Sequence, residues 1–135
     1  MDFRPIYTLD PTHLDMLHRL YQQEWWTKER TREETQRVVS GSQVCVGLVD
    51  EHQQLIGFAR VLTDYTFTAL IFDVIVDRKC RDLGLGDRLM ALILGHPDLK
   101  AVRSFELYCL PELEPFYGRY GFSGETGGIR LMRRV

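Results

Sequence analysis

The run Ala69 to Val76, ALIFDVIV, constrains this chain more than any other part of it. A strand that is apolar almost without interruption has to be covered on both faces. Directly after it, CRDLGLGDRLM from Cys80 to Met90 places two glycines one residue apart, with charges on both flanks. Leu85, Leu89, Leu92 and Ile93 then fall at i, i+4, i+7 and i+8, the stripe of a helix packed on a sheet. Strand, tight turn and helix predict a crossover to a second parallel strand, Ser104 to Cys109, with the helix ending near Gly95-His96-Pro97.

The remaining segments fit around that unit. Phe3 to Thr8 reads as a first strand, and Asp10-Pro11 as a helix start, with Asp10 as N-cap and proline at the first helical position. Leu14, Leu17 and Tyr21 mark one face of that helix. Thr31 to Glu34 forms a Thr-x-x-Glu capping box for a second helix that stops near Ser40-Gly41. Gln43 to Val49 and Leu55 to Leu62 are apolar and β-branched with a polar link, which predicts an antiparallel hairpin. Leu113 to Tyr120 reads as a short helix and Gly128 to Arg133 as a last strand. The expected architecture is α/β (α+β): a three-layer fold with a mixed central sheet and helices on both faces. A chain of 135 residues suits a single domain, 1–135.

Composition narrows the function. With 44% hydrophobic and 27% charged residues the chain lies outside disordered compositions. A formal net charge of −2 argues against a general nucleic-acid binder. The apolar runs fall far short of the ~20 residues that cross a bilayer, and MDFRPIYTLD has no signal-peptide pattern, so a cytoplasmic protein without a membrane partner is expected. Cys45, Cys80 and Cys109 form no even disulfide set and no Cys-x-x-Cys pair. His13 and His18, five apart, point to different faces of a helix, so no metal site is expected.

The glycine turn excludes two nucleotide-binding patterns. A dinucleotide loop needs a third glycine where Leu89 stands, and the Walker Gly-Lys-Ser/Thr is missing. What remains, Arg81-x-x-Gly84-x-Gly86, is a strand-to-helix turn whose absent side chains let backbone N–H groups reach an anion, with the helix dipole adding to the attraction. The same residues also make a simple tight turn with Arg78, Lys79, Arg81 and Arg88 as solvated surface. Taken alone, the glycines leave both readings standing.

Two motifs in order carry more. Arg81-Asp82-Leu83-Gly84-Leu85-Gly86 resembles the Arg/Gln-x-x-Gly-x-Gly/Ala signature of the GNAT superfamily of N-acetyltransferases. Further on, Pro115-Phe116-Tyr117-Gly118-Arg119-Tyr120-Gly121-Phe122 is similar to the family's second signature, an aromatic or leucine and a tyrosine followed by Gly-Phe. The resemblance implies acetyl-CoA as co-substrate. It places the pyrophosphate on the amides of Asp82, Leu83, Gly84, Leu85, Gly86 and Asp87, with Arg81 at the entrance. It places the pantetheine arm along Val74, Ile75 and Val76, where a strand edge suits the amides of the arm. Lys79 and Arg88 carry charge suited to the remaining phosphate. One departure is plain: many members have an asparagine six or seven residues before the motif tyrosine, and here Leu110 and Pro111 stand there.

The resemblance also makes Tyr117 the candidate acid for the leaving thiolate, against the alternative that Phe116, Tyr117, Tyr120 and Phe122 are simply a packed aromatic cluster. Asp73 interrupts the apolar strand. Burial raising its pKa would make it a base or an amine-binding anion, and the alternative is a structural carboxylate satisfied by Arg60 or a hydroxyl. Asp64 and Glu24 are weaker anionic candidates. Trp25 and Trp26, at the end of the first helix, are candidates to wall the acceptor, or else core anchors. No cysteine stands where a covalent nucleophile is expected, with Cys109 near enough to test. The expectation is an acetyl-CoA-dependent N-acetyltransferase acting on a small-molecule primary amine by direct attack. The alternatives are an acyl-CoA-sensing module and a protein or peptide acetyltransferase, and pairing of two chains is compatible with each.

Overall fold

The computed structural model describes residues 2–135. A five-stranded sheet in sequence order is built from β1 (Arg4–Ile6), β2 (Val44–Val49), β3 (Leu55–Thr63), β4 (Thr68–Val76) and β5 (Ser104–Leu107). Neighbours are antiparallel from β1 to β4, and β4 with β5 is parallel. Helices α1 (Pro11–Tyr21) and α2 (Arg32–Ser40) lie on one face. On the other lies α3 (Leu85–Leu94), with the short α4 (Glu114–Gly118) beside its start. This is the mixed, three-layer α/β arrangement that the alternation of elements predicts.

Local chemistry explains the helix limits. Asp10 accepts from the His13 amide at 2.9 Å and the His13 ring accepts from the Asp10 amide, so an Asp-x-x-His pair closes the start of α1. Thr31 and Glu34 do the same for α2. Gly41 and Gly95 end α2 and α3 as expected. Two apolar clusters form the core. One joins Leu85, Leu89, Met90 and Ile93 of α3 to β2, β3 and β4, and the other joins Leu17, Leu20 and Tyr21 of α1 to Phe58 and Ile75.

Two expectations need correction. β4 is not buried on both faces throughout: alternate residues are buried, while Leu70, Phe72, Val74 and Val76 are half-buried. Of these, Phe72, Val74 and Val76 border an opening in the sheet. And Gly128 to Arg133 forms no strand. A strand needs a partner for its backbone groups, and after α4 this segment runs exposed, with Ile129 78% and Met132 91% accessible.

Candidate active site

The opening arises from how β4 is paired. β3 accompanies it along its length, but β5 pairs with it only from Thr68–Ser104 to Ile71–Leu107. From Phe72 to Val76 the edge of β4 that faces away from β3 has no partner strand. Within that stretch the register with β3 slips between Phe58 and Arg60, so that Ala59 lies opposite the extra residue of a bulge. Asp73 supplies the turn, with φ of +57°. Ala69 and Ile71 pack on the α3 side, and simple alternation would aim residue 73 there too. The bulge puts Phe72 and Asp73 on the α1/α2 side together, returns Val74 and Val76 to the α3 side and sends Ile75 into the α1 cluster.

The loop after β4 leaves its amides free. Asp77 caps a 3₁₀ turn over Arg78–Cys80, accepting from the Lys79 amide at 2.9 Å. Asp82 and Gly84 then take left-handed φ of +66° and +74° on either side of Leu83, and α3 begins with no side-chain cap. Among the described residues, no backbone N–H from Arg81 to Asp87 donates a hydrogen bond. Left-handed residues in such a run curve successive N–H groups toward one side, and a helix start adds its own unpaired donors and positive dipole. The two glycines serve differently. Gly84 is required by its φ, whereas a Cβ on Gly86 would sit 3.3 Å from the Phe116 ring, so Gly86 admits α4 against α3.

α4 is fixed there by charge and aromatic packing. Asp87, in the first turn of α3, accepts from the Tyr120 hydroxyl and from Arg119 at 2.9 Å. Thus the Asp87 side chain docks α4, while its amide stays with the free set. Phe116 packs edge-on to Tyr117 with ring centroids 4.9 Å apart, and Tyr117 to Phe122 at 6.2 Å. The Tyr117 hydroxyl makes no hydrogen bond among the described residues, and burial, with Cys109 adding to it, pushes its pKa up to about 12. At neutral pH it holds its proton. Packing and proton-holding coexist here, with the aromatic cluster surrounding the hydroxyl.

On the α1/α2 side, Asp73 sits in an ion network. Its carboxylate accepts two bonds from Arg30, at 2.6 and 3.1 Å, one from Arg60 Nε at 2.7 Å and one from the Tyr21 hydroxyl at 2.9 Å. Burial pushes the carboxyl up, but the bonds and charges of the two guanidiniums outweigh it and hold Asp73 below the usual aspartate range. This corrects the expectation of a raised pKa. Such a carboxylate accepts protons poorly at neutral pH, and the structural alternative with Arg60 and a hydroxyl describes its surroundings. Arg30 and Tyr21 were not picked out as partners, since 43 and 52 residues separate them from Asp73 and no local spacing links them.

The other candidates fall as follows. Trp25 and Trp26, 67% and 41% exposed, lie on the turn between α1 and α2 and are not core anchors. Buried Thr27 holds that turn by donating to the Tyr21 carbonyl at 2.7 Å, and sequence reading passed over it. Arg81 pairs with Glu24, and Arg78 donates to the Gln23 carbonyl, so this turn is fastened to the start of the glycine loop. Glu24 is thereby engaged. Asp64 is a turn residue, accepting from the amides of Thr66, Phe67 and Thr68, which lower its pKa. Half-buried Arg88 donates to the Phe3 carbonyl, whereas exposed Lys79 makes no ion pair among the described residues. Burial, reinforced by Glu114, raises the Cys109 thiol, so it is not an activated nucleophile.

The described residues contain no cluster of three or more His, Cys, Asp or Glu placed to hold a metal, and no helix long and apolar enough to cross a membrane.

Comparison with known proteins bears on the fold and the family. A family model described as an acetyltransferase (GNAT) domain matches residues 11–128. A crystal structure from Xanthomonas campestris pv. campestris, of a protein described as belonging to the GNAT family, superposes with a TM-score of 0.81 at 31% identity, covering 98% of this chain and 93% of the other. Among curated relatives, the uncharacterized N-acetyltransferase ycf52 of Pyropia yezoensis is 25% identical over 137 aligned positions, covering 98% of this chain and 78% of the relative. Serotonin N-acetyltransferase 2, chloroplastic, of Oryza sativa subsp. japonica is 34% identical over 107 positions, covering 76% of this chain but 53% of the relative.

Proposed function

We propose, from the premise that this chain belongs to the GNAT family of acetyltransferases and is an acyltransferase enzyme, that it moves the acetyl group of acetyl-CoA to a small primary amine by direct attack. One observation carries the reading: the free N–H groups of Arg81 to Asp87 lie at the end of the same strand whose edge, Phe72 to Val76, is open. Diphosphate and an amide-bearing arm call for those two donor sets side by side. Acetyl-CoA, when bound, supplies a thioester carbonyl open to an amine and a thiolate that leaves.

The chain's own groups then divide the work. The amides of Asp82 to Asp87 hold the anion, and the β4 edge at Val74 and Val76 orients the arm. Tyr117 keeps a proton to give to the departing sulfur. Since a thiol's pKa is about 8.5, that proton transfer accelerates departure without being indispensable. An alkyl amine with a pKa of about 10.4 must lose a proton before it attacks. Here Arg30 and Arg60 outnumber Asp73 in charge, and a net positive surrounding favours the neutral amine. Water takes the proton in this account. Exposed Trp25 and Trp26, on the turn that leads from α1 to Arg30, offer the acceptor a flat apolar wall.

The test is calorimetric titration with CoA followed by thiol-release assays on a panel of small amines and peptides. Heat on CoA titration and turnover of a small amine support the reading. Absence of CoA binding removes it, binding without turnover makes the protein a sensor, and turnover confined to peptides moves the acceptor class.

A further inference from the structure

We propose that the acceptor amine carries an anionic group, a carboxylate or a phosphate, held by Arg30 and Arg60 on the α1/α2 side of the opening. The inference rests on the acetyl-transfer reading and names the substrate class of that same site.

Two guanidiniums share one carboxylate here. Asp73 accepts from both of them and from the Tyr21 hydroxyl, and with its side chain only 4% exposed it has no acceptor left for an amine. One positive charge is left over. Tyr21 and Ser42, the other side chains bonded to the network, are neutral, while Glu24 is engaged by Arg81 and Glu34 by the cap of α2. An uncompensated charge on half-buried groups is unfavourable, and an anion brought by a ligand offsets it. The same surplus repels a polycationic amine.

Donors for that anion are in place. Arg30 Nε and Arg60 Nη2 donate no hydrogen bond among the described residues, and no unbonded side-chain nitrogen or oxygen among them is buried, so both reach solvent. Each guanidinium is also held against a ring, Arg30 4.6 Å from the centre of Tyr21 and Arg60 4.9 Å from that of Phe72. Planar forks fixed in this way match a carboxylate or a phosphate.

Position links them to the reaction. Phe72 is the first residue of β4 beyond its last pair with β5, and its ring meets that of Tyr108, just past β5, edge-on at 5.7 Å. Arg60 over Phe72 therefore stands where the two strands part, on the face opposite Val74 and Val76. An arm along those two valines and an acceptor held by the guanidiniums approach one point from opposite faces.

The test uses matched amines that differ in the anion: phenylalanine against phenethylamine, alanine against ethylamine, and phosphoethanolamine against ethanolamine, with spermidine as the polycation. Thiol release by the unaltered protein should show kcat/KM about tenfold higher or more for the anionic member of a pair, and the pair that responds names the group. Arg30→Gln should erase most of that preference with the KM for acetyl-CoA unchanged, and Arg30→Lys, which keeps the charge but not the fork, should erase less. A thermal melt confirms that each variant is folded. Calorimetric titration of the same compounds, with and without CoA, reads the site without turnover. Binding of anionic members alone, with no amine turned over, keeps the anion site and removes the transfer reading. Equal kcat/KM within every pair, or a preference for spermidine, overturns the proposal and leaves acetyl transfer standing. Neither binding nor turnover of any anionic amine also overturns it.

Discussion

The two halves of the candidate active site are made of different material. The half around the glycine loop and the β4 edge is main chain: free amides, an open ladder and two left-handed residues, Asp82 and Gly84. The half around the bulge is side chain: Asp73 gripped by Arg30, Arg60 and Tyr21. The first keeps its hydrogen-bonding capacity for a ligand, and in the second the Asp73 carboxylate has already spent its own internally. Backbone conformation therefore governs the first half, and charge balance governs the second.

That contrast is most exposed to failure at Asp73. Asp73→Ala leaves two partly buried guanidiniums without their anion, which costs about 3 kcal/mol by analogy with broken buried pairs. Chemical denaturation measures it, and a loss under about 1 kcal/mol would make the network incidental. Next comes Gly84→Ala. A side chain at φ +74° costs ~1–2 kcal/mol in a loop that must keep its shape, so CoA affinity should fall about tenfold in a calorimetric titration, whereas Arg81→Ala should change it far less.

Tyr117→Phe should lower kcat about tenfold with the KM for acetyl-CoA unchanged. Since burial holds the hydroxyl near 12, no loss of kcat from its ionisation should appear below about pH 10. Turnover equal to that of the unaltered enzyme removes Tyr117 from the chemistry.

The smallest effect is the acid limb of stability. Asp73 has a depressed pKa when folded, so its contribution is complete above the unfolded value of about 3.9 and is lost as pH falls through the folded value. Stability of the unaltered protein minus that of Asp73→Asn should be constant from neutral pH down to about 4 and shrink below it. A difference that instead grows toward acid would mean that the carboxyl is protonated at higher pH than its partners allow.

The same contrast explains what the sequence disclosed. Elements set by local chemistry were legible: the Asp10 and Thr31 caps, the Leu85, Leu89 and Ile93 stripe, and the glycines that end α2 and α3. The strand-to-helix turn with its glycines was legible as well, because glycine spacing after a strand is local information. The side-chain half was not. Arg30, Tyr21 and Asp73 meet only through the bulge, and no rule of period or spacing announces a left-handed aspartate inside ALIFDVIV. Asp73 stands out in the sequence for its oddity, with a raised pKa or a structural pairing with Arg60 or a hydroxyl both open, and the partners it meets lower its pKa. The tail failed for another reason: Gly128 to Arg133 has strand composition, but a strand exists only with a paired neighbour, and this segment runs exposed without one.

The most direct test of the account is amide hydrogen exchange of the unaltered protein with and without saturating CoA. Slowed exchange concentrated at Arg81 to Asp87 and at Val74 and Val76 is the result expected if the main chain forms the cofactor site. Unchanged exchange at those amides, with CoA demonstrably bound, would contradict it.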